Sequence, residues 1–232
     1  LKRLIAAIDT ADPAEAAALI RAVAPHCAMV KLGLEFFLRN GPAGFAAAGE
    51  TPVFLDLKLH DIPNTVAGAV RSLLPLGAKM LTVHAAGGAA MVAAAREAAA
   101  EAGAERPRIL AVTVLTSLDS AGLNGIGVAG GITQQVLRLG RLALEAGADG
   151  LVCSARELPQ LRDAFGPEPI LVTPGIRPAG AAPAGFARDD QARSETPEVA
   201  VAAGASYIVV GRPISRAANP GQAAADIAGA IA

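Results

Sequence analysis

Short apolar runs alternate with longer stretches of helical period along the whole chain. The runs at 3–9, 28–32, 52–58, 80–84, 109–115, 150–153, 170–173 and 207–210 are brief and apolar, as buried strands are. Between them, apolar residues recur at three- and four-residue spacing, as they do on one face of a helix. Eight strands, each followed by a helical pattern, give the arithmetic of an α/β fold of the (β/α)8 TIM-barrel type, one domain over residues 1–232. A doubly wound open sheet shares the alternation and is the alternative. Gly77-Ala78-Lys79, Gly147-Ala148-Asp149 and Gly204-Ala205-Ser206 each close a helical stretch and launch a strand, as glycines beyond a helix end do. The longest stretch without a period, 174–194, is rich in Gly, Pro and Ala and follows the seventh strand. A loop of that length in a compact domain is a lid or a disordered tip, and its place after the seventh strand of a barrel favours a lid.

Composition adds bounds. With 53% hydrophobic residues and a formal net charge of −1, a sizeable core is easily built. Charges of both signs are scattered, which argues against nucleic acid or a membrane surface as partner. The Ala-rich stretch 89–102 is interrupted by Arg96, Glu97 and Glu101, so it reads as a surface helix and not as a span. No signal peptide is apparent. Cys27 and Cys153 each sit beside an apolar run and read as buried thiols of a reducing compartment, with a bridge as the alternative. The expectation is a soluble, cytoplasmic protein.

Polar residues gather where these strands end: Asp9, Lys31, Asp56, Lys58, His84, Thr116 and Arg212. In a barrel those ends form the catalytic face. The densest cluster lies in Asp56-Leu57-Lys58-Leu59-His60-Asp61-Ile62-Pro63-Asn64-Thr65. Strand alternation projects Asp56 and Lys58 together, Asp61 follows in the turn, and Pro63 opens a helix. Charges so tightly spaced beside apolar residues are costly unless they pair or do chemistry. Unit charges ~4 Å apart interact by about 4 kcal/mol at an effective dielectric near 20. Flanking aspartates should therefore keep Lys58 protonated, which suits a proton donor to a carbanion better than a Schiff-base lysine. A buried structural ion pair, with Asp61 favouring the helix start, is the plainer alternative.

Lys31 closes the second strand and could complete an alternating Lys–Asp–Lys–Asp array, or simply be a rim lysine. Asp9 could bind a sugar hydroxyl or cap the next turn. Gly211-Arg212 after the last strand, with Arg177 from the preceding loop, suits a phosphate, because a guanidinium fork matches phosphate oxygens and barrels bind phosphate there. Gly125-Ile126-Gly127-Val128-Ala129-Gly130 has a dinucleotide-binding pattern, but it begins well beyond the fifth strand, and Asp149 precedes its strand. It reads as a loop. His26, His60 and His84 lack zinc-ligand spacing, so no metal site is expected.

The decapeptide at 56–65 resembles the signature of the orotidine 5′-monophosphate decarboxylase family. The resemblance continues through Ala7-Ile8-Asp9, Val30-Lys31-Leu32-Gly33, Val83-His84-Ala85, Val112-Thr113-Val114-Leu115-Thr116-Ser117, Val172-Thr173-Pro174-Gly175-Ile176-Arg177-Pro178 and Val210-Gly211-Arg212-Pro213. It implies a homodimeric barrel that converts orotidine 5′-monophosphate to uridine 5′-monophosphate and carbon dioxide without metal or organic cofactor. It further implies that Asp9 and Lys31 contact the ribose and Thr116 the pyrimidine side. Arg177, Gln191, Gly211 and Arg212 would surround the phosphate. Asp56 would face the departing carboxylate, Lys58 would protonate carbon 6, and Asp61 and Thr65 would reach into the partner's site. The likeness departs at residues 179–187, longer and more apolar than the family pattern. Sister barrels that act on sugar phosphates with Mg²⁺ share the aspartate-lysine-aspartate spacing but resemble this chain less at Lys31, which would repel the metal. A nucleotide-binding barrel without turnover is the other alternative.

Overall fold

The computed structural model describes residues 2–178 and 195–232. Among them, eight strands form one closed parallel barrel: β1 Leu4–Ile8, β2 Met29–Gly33, β3 Val53–Leu59, β4 Met80–His84, β5 Arg108–Val112, β6 Gly150–Val152, β7 Ile170–Thr173 and β8 Tyr207–Val210. Each strand pairs with its sequence neighbours, and β1 also pairs with β8, Leu4 lying opposite Ile208. That closure excludes the doubly wound alternative, whose sheet has free edges. The α-helices that follow the strands are α1 Pro13–Val23, α2 Leu34–Asn40, α3 Pro63–Leu73, α4 Ala89–Ala100, α5 Ser120–Gly125, α6 Ile132–Glu145, α7 Leu158–Phe165, α8 Pro197–Ala202, α9 Arg212–Ser215 and α10 Pro220–Ala230.

Local chemistry sets these boundaries. Asp12 accepts the N–H groups of Ala14 and Glu15 at 2.7 and 2.9 Å, and Pro13 starts α1 where its missing N–H costs nothing. In α6 the buried residues Val136, Leu139, Gly140 and Ala143 follow a single stripe. The alanines of α4 turn Ala95, Ala98 and Ala99 onto the barrel, so this helix is apolar on its inner face and lies on the outside as expected. Gly77, Gly147 and Gly204 have φ of +68°, +92° and +106°, the left-handed geometry that ends a helix before a strand.

Two apolar layers result. One lies between sheet and helices and includes Leu55, Leu81, Met91, Ile109 and Leu151. The other fills the barrel with Ile5, Ala7, Met29, Phe54, Met80, Leu110, Val172 and Val209. Residues two apart share a side of the sheet. The positions after these inner residues therefore continue upward to Asp9, Lys31, Asp56 and Thr82 on β1–β4, but to Val112 and Val152 on β5 and β6.

The fifth strand stops at Val112, short of the expected 115. Both the N–H and the hydroxyl of Thr113 go to the carbonyl of Val152, at 3.2 and 3.0 Å, and β6 ends there, leaving no further edge to pair with. The glycines at 125–130 end α5 and turn toward α6; Gly127 and Gly130 have positive φ, as a loop requires. Cys27 and Cys153 are both buried and unbridged.

One strand departs from regular pleating. On β3, Leu55 pairs with Leu81 and Leu59 with Val83, so four steps on β3 match two on β4. This bulge contains Lys58 at φ +51°, which among the described residues is the sole non-glycine in left-handed backbone.

The tightest strand contact is at Gly150. A β-carbon there would overlap the carbonyl of its partner Ile170, which is backbone and cannot swing aside. Gly150→Ala is expected to cost about 1–3 kcal/mol, the usual range for overpacking. Urea unfolding of the two proteins measures it.

Candidate active site

The bulge in β3 brings three charges into contact. Lys58 Nζ donates to both Asp56 carboxylate oxygens at 2.9 Å, and Lys31 Nζ lies 3.4 Å from Asp56 Oδ2. Thr82 Oγ1 donates to Asp56 Oδ1 at 2.9 Å and accepts the backbone N–H of Lys58 at 2.8 Å. Asp56 is thus a buried carboxylate held by two ammonium groups and a hydroxyl. Burial acts to raise its pKa, but Lys31, Lys58 and the hydrogen bonds from Lys58 and Thr82 outweigh it, and the carboxyl titrates below its ordinary value. Aspartate is the ionised partner here.

Asp9, at the end of β1, lies in a different balance. Burial raises its pKa, and Lys31, Arg212 and Arg216 offset only part of that rise. Gly211 is glycine for a local reason: a β-carbon there would stand 2.5 Å from Asp9 Oδ2. The last strand therefore passes close against the Asp9 carboxylate.

These groups open onto one cavity of about 640 Å³ at the C-terminal mouth of the barrel. Among the described residues its cations are Lys31, Lys58, Arg177, Arg212 and Arg216, and its carboxylates Asp9, Glu35 and Asp56. Val112, Val114, Val152 and Val209 give it apolar lining. The cavity thus offers positive charge to an anion and apolar surface to a ring.

Asp9, Lys31, Asp56, Lys58, Thr116, Arg177, Gly211 and Arg212 all line this cavity. Asp61 and Thr65 do not. Both are exposed, and Asp61 accepts the N–H of Ile62 at 2.6 Å, so the four-membered charge array has three members within this chain. His60, Asp61 and Ile62, between β3 and the start of α3 at Pro63, are all exposed. Gln191 and most of the expected lid lie outside the described residues. His84 stacks on His60 with ring centroids 5.1 Å apart, beside Lys58 and not in the cavity lining. Burial first, then His60 and Lys58, lowers its pKa. Among the described residues no group of three or more His, Cys, Asp or Glu could hold a metal ion.

Sequence reasoning missed Thr82, Glu35 and Arg216. Thr82 stands two residues before His84 on β4, so strand alternation could have placed it on the same face. Arg216 follows Arg212 by four residues, one helical turn on.

The chain is similar throughout its length to known decarboxylases. It is 53% identical over 232 residues to an orotidine 5′-phosphate decarboxylase of Anaeromyxobacter sp. (strain K), covering 99% of this chain and 98% of the relative. A protein of the same name from Thermobifida fusca (strain YX) is 55% identical over 225 residues, 96% of this chain and 92% of that one. The crystal structure of orotidine 5′-phosphate decarboxylase from Lactobacillus acidophilus superposes with a TM-score of 0.86 at 35% identity, over 100% of this chain and 99% of the other. The pattern of the orotidine 5′-phosphate decarboxylase / HUMPS family matches residues 2–227, and the chain belongs to that family.

Proposed function

We propose that this protein converts orotidine 5′-monophosphate to uridine 5′-monophosphate and carbon dioxide without a metal or cofactor. The observation that carries the reading is the Lys31–Asp56–Lys58 array facing Arg177 and Arg212 within one cavity. A phosphate fits the arginines, whose planar forks match its oxygens. The pyrimidine lies against the valines near Thr116, and Asp9 and Lys31 take the ribose hydroxyls. This places the carboxylate on carbon 6 toward Asp56.

In the reaction the bond between carbon 6 and its carboxylate breaks. The electron pair stays on carbon 6, carbon dioxide leaves, and the Lys58 ammonium gives its proton to that carbon. A carbanion in the ring plane has little resonance stabilisation, so an ammonium fixed beside it before reaction is the effective remedy. Asp56 holds that ammonium, and its charge opposes the substrate carboxylate until carbon dioxide departs. Lys31, on the other side of Asp56, places a second positive charge where a divalent cation would need a ligand.

Asp61 and Thr65 are assigned to the site of a partner subunit in a homodimer. Their exposure on their own chain supports this, as does Ile62 between them, an isoleucine 66% exposed. The 174–194 segment is assigned as the lid, with Gln191 joining the phosphate group and closure supplying binding energy to the reaction. No helix among the described residues is long and apolar enough to cross a membrane. The two unbridged thiols support a reducing cytoplasm.

Three outcomes are expected. In a time course with EDTA present, orotidine 5′-monophosphate loses its absorbance at the rate seen without chelator; abolition by EDTA points to a Mg²⁺-dependent relative, and no loss with or without it to a binding protein. Arg212→Ala weakens the nucleotide by roughly tenfold or more, the scale of a charge-assisted hydrogen bond, and leaves the free nucleoside nearly unaffected. Equal losses in calorimetry place the phosphate elsewhere. Mixing inactive Lys58→Ala with inactive Asp61→Ala subunits restores part of the activity, since some hybrid dimers hold one intact site. Verified hybrids without activity assign Asp61 to its own chain.

A further inference from the structure

Thr82 has no counterpart among the groups assigned above, yet it touches two of them. It is fully buried on the inner face of β4, between Met80 and His84. A hydroxyl carries one proton and two lone pairs. The backbone N–H of Lys58 can only donate, so Thr82 accepts there, at 2.8 Å, and its single proton is directed to Asp56 Oδ1, at 2.9 Å. Lys58 Nζ returns to the same carboxylate at 2.9 Å. The result is a closed ring that begins and ends on Lys58, once at its backbone and once at its ammonium.

The ring sits where β3 is least regular. Lys58 occupies left-handed backbone inside a bulge, a conformation that a non-glycine residue keeps only when its surroundings fix it. The neighbouring strand cannot supply an ordinary ladder bond at that point, since the register has slipped by two residues. The Thr82 side chain supplies the acceptor instead. An apolar residue there would leave the Lys58 N–H unpaired and remove one donor from Asp56.

We propose that Thr82 is a positioning residue for the decarboxylation, its hydroxyl locking the bent Lys58 backbone and the Asp56 carboxylate into one rigid unit that aims the ammonium before substrate arrives. This rests on the decarboxylase reading. A merely structural threonine would affect folding and nucleotide binding together. A positioning threonine affects turnover while leaving the phosphate and ribose contacts intact.

Thr82→Val keeps the shape and removes the hydroxyl, and Thr82→Ser restores it. The measurements are kcat on orotidine 5′-monophosphate and the Kd of uridine 5′-monophosphate for each protein. The expected result is a kcat lower by roughly tenfold or more in the valine variant, because small misplacement of a reacting group is costly. The product Kd should stay within about threefold, the mark of an interaction used only on the way to reaction. Serine should recover most of the loss. A valine variant with unchanged kcat, a loss shared equally by product affinity, or a serine variant no better than valine overturns the proposal. Should the valine variant fail to fold, Thr82→Ala, which leaves room for water, is read in the same way. A wild-type protein inactive on orotidine 5′-monophosphate overturns both the function and this role; an active wild type with an indifferent Thr82→Val overturns this role alone.

Discussion

A carboxylate taken out of water must be matched by positive charge and hydrogen bonds, and the site is organised around that demand at Asp56. Its two oxygens are occupied by Lys31, Lys58 and Thr82, and the match is good enough to lower its pKa despite burial. Each partner comes from a different strand, β2, β3 or β4, so the carboxylate joins three adjacent strands at the barrel mouth. Removing any one donor leaves a buried charge under-compensated, a larger effect than the loss of an exposed ion pair. The same demand fixes where Lys58 can point. An ammonium tied to a buried anion is placed before substrate binds, and a fixed charge costs no reorganisation at the moment of reaction.

The barrel supplies this arrangement through its period of two. Inner residues of β1 to β4 rise from Ile5, Met29, Phe54 and Met80 to Asp9, Lys31, Asp56 and Thr82, while β5 and β6 carry valines at the same height. The mouth thus carries charged and polar groups on β1 to β4, valines on β5 and β6, and arginines beyond β7 and β8. A closed sheet is what brings the arginines beyond β8 beside Asp9 at the end of β1, because in an open sheet β1 and β8 would lie at opposite edges. The lower apolar layer keeps water from entering below the charges, which strengthens every interaction above it.

Much of this was legible in the chain. The eight apolar runs, their order and the gathering of polar residues at strand ends led to the barrel and to the lining residues Asp9, Lys31, Asp56, Lys58, Thr116 and Arg212. What periodicity cannot reveal is where it fails. Regular alternation pairs Asp56 with Lys58 but says nothing of a two-residue slip against β4, since that depends on how a distant strand is satisfied. Thr82 was missed for this reason: its importance lies in contacts to residues 24 and 26 positions away. Asp61 groups with Asp56 and Lys58 by closeness in sequence, yet it lies exposed on the loop beyond the bulge. The end of β5 was misread because Thr113 uses its own hydroxyl to stop the ladder, and apolar residues continue past it.

The charge of the cavity ties binding to chemistry. Among the described residues, cations outnumber carboxylates in its lining, which suits a phosphate of charge about −1.5 to −2 at neutral pH. A substrate bearing a phosphate and a ring carboxylate brings a second negative group, and that group arrives beside Asp56. The arginines hold the phosphate end, so attraction there holds the molecule against the repulsion between its carboxylate and Asp56. Departure of carbon dioxide leaves that negative charge on carbon 6, beside the Lys58 ammonium, whose proton then neutralises it. The repulsion at Asp56 is therefore relieved along the reaction and not on binding, which is the condition for binding energy to lower a barrier.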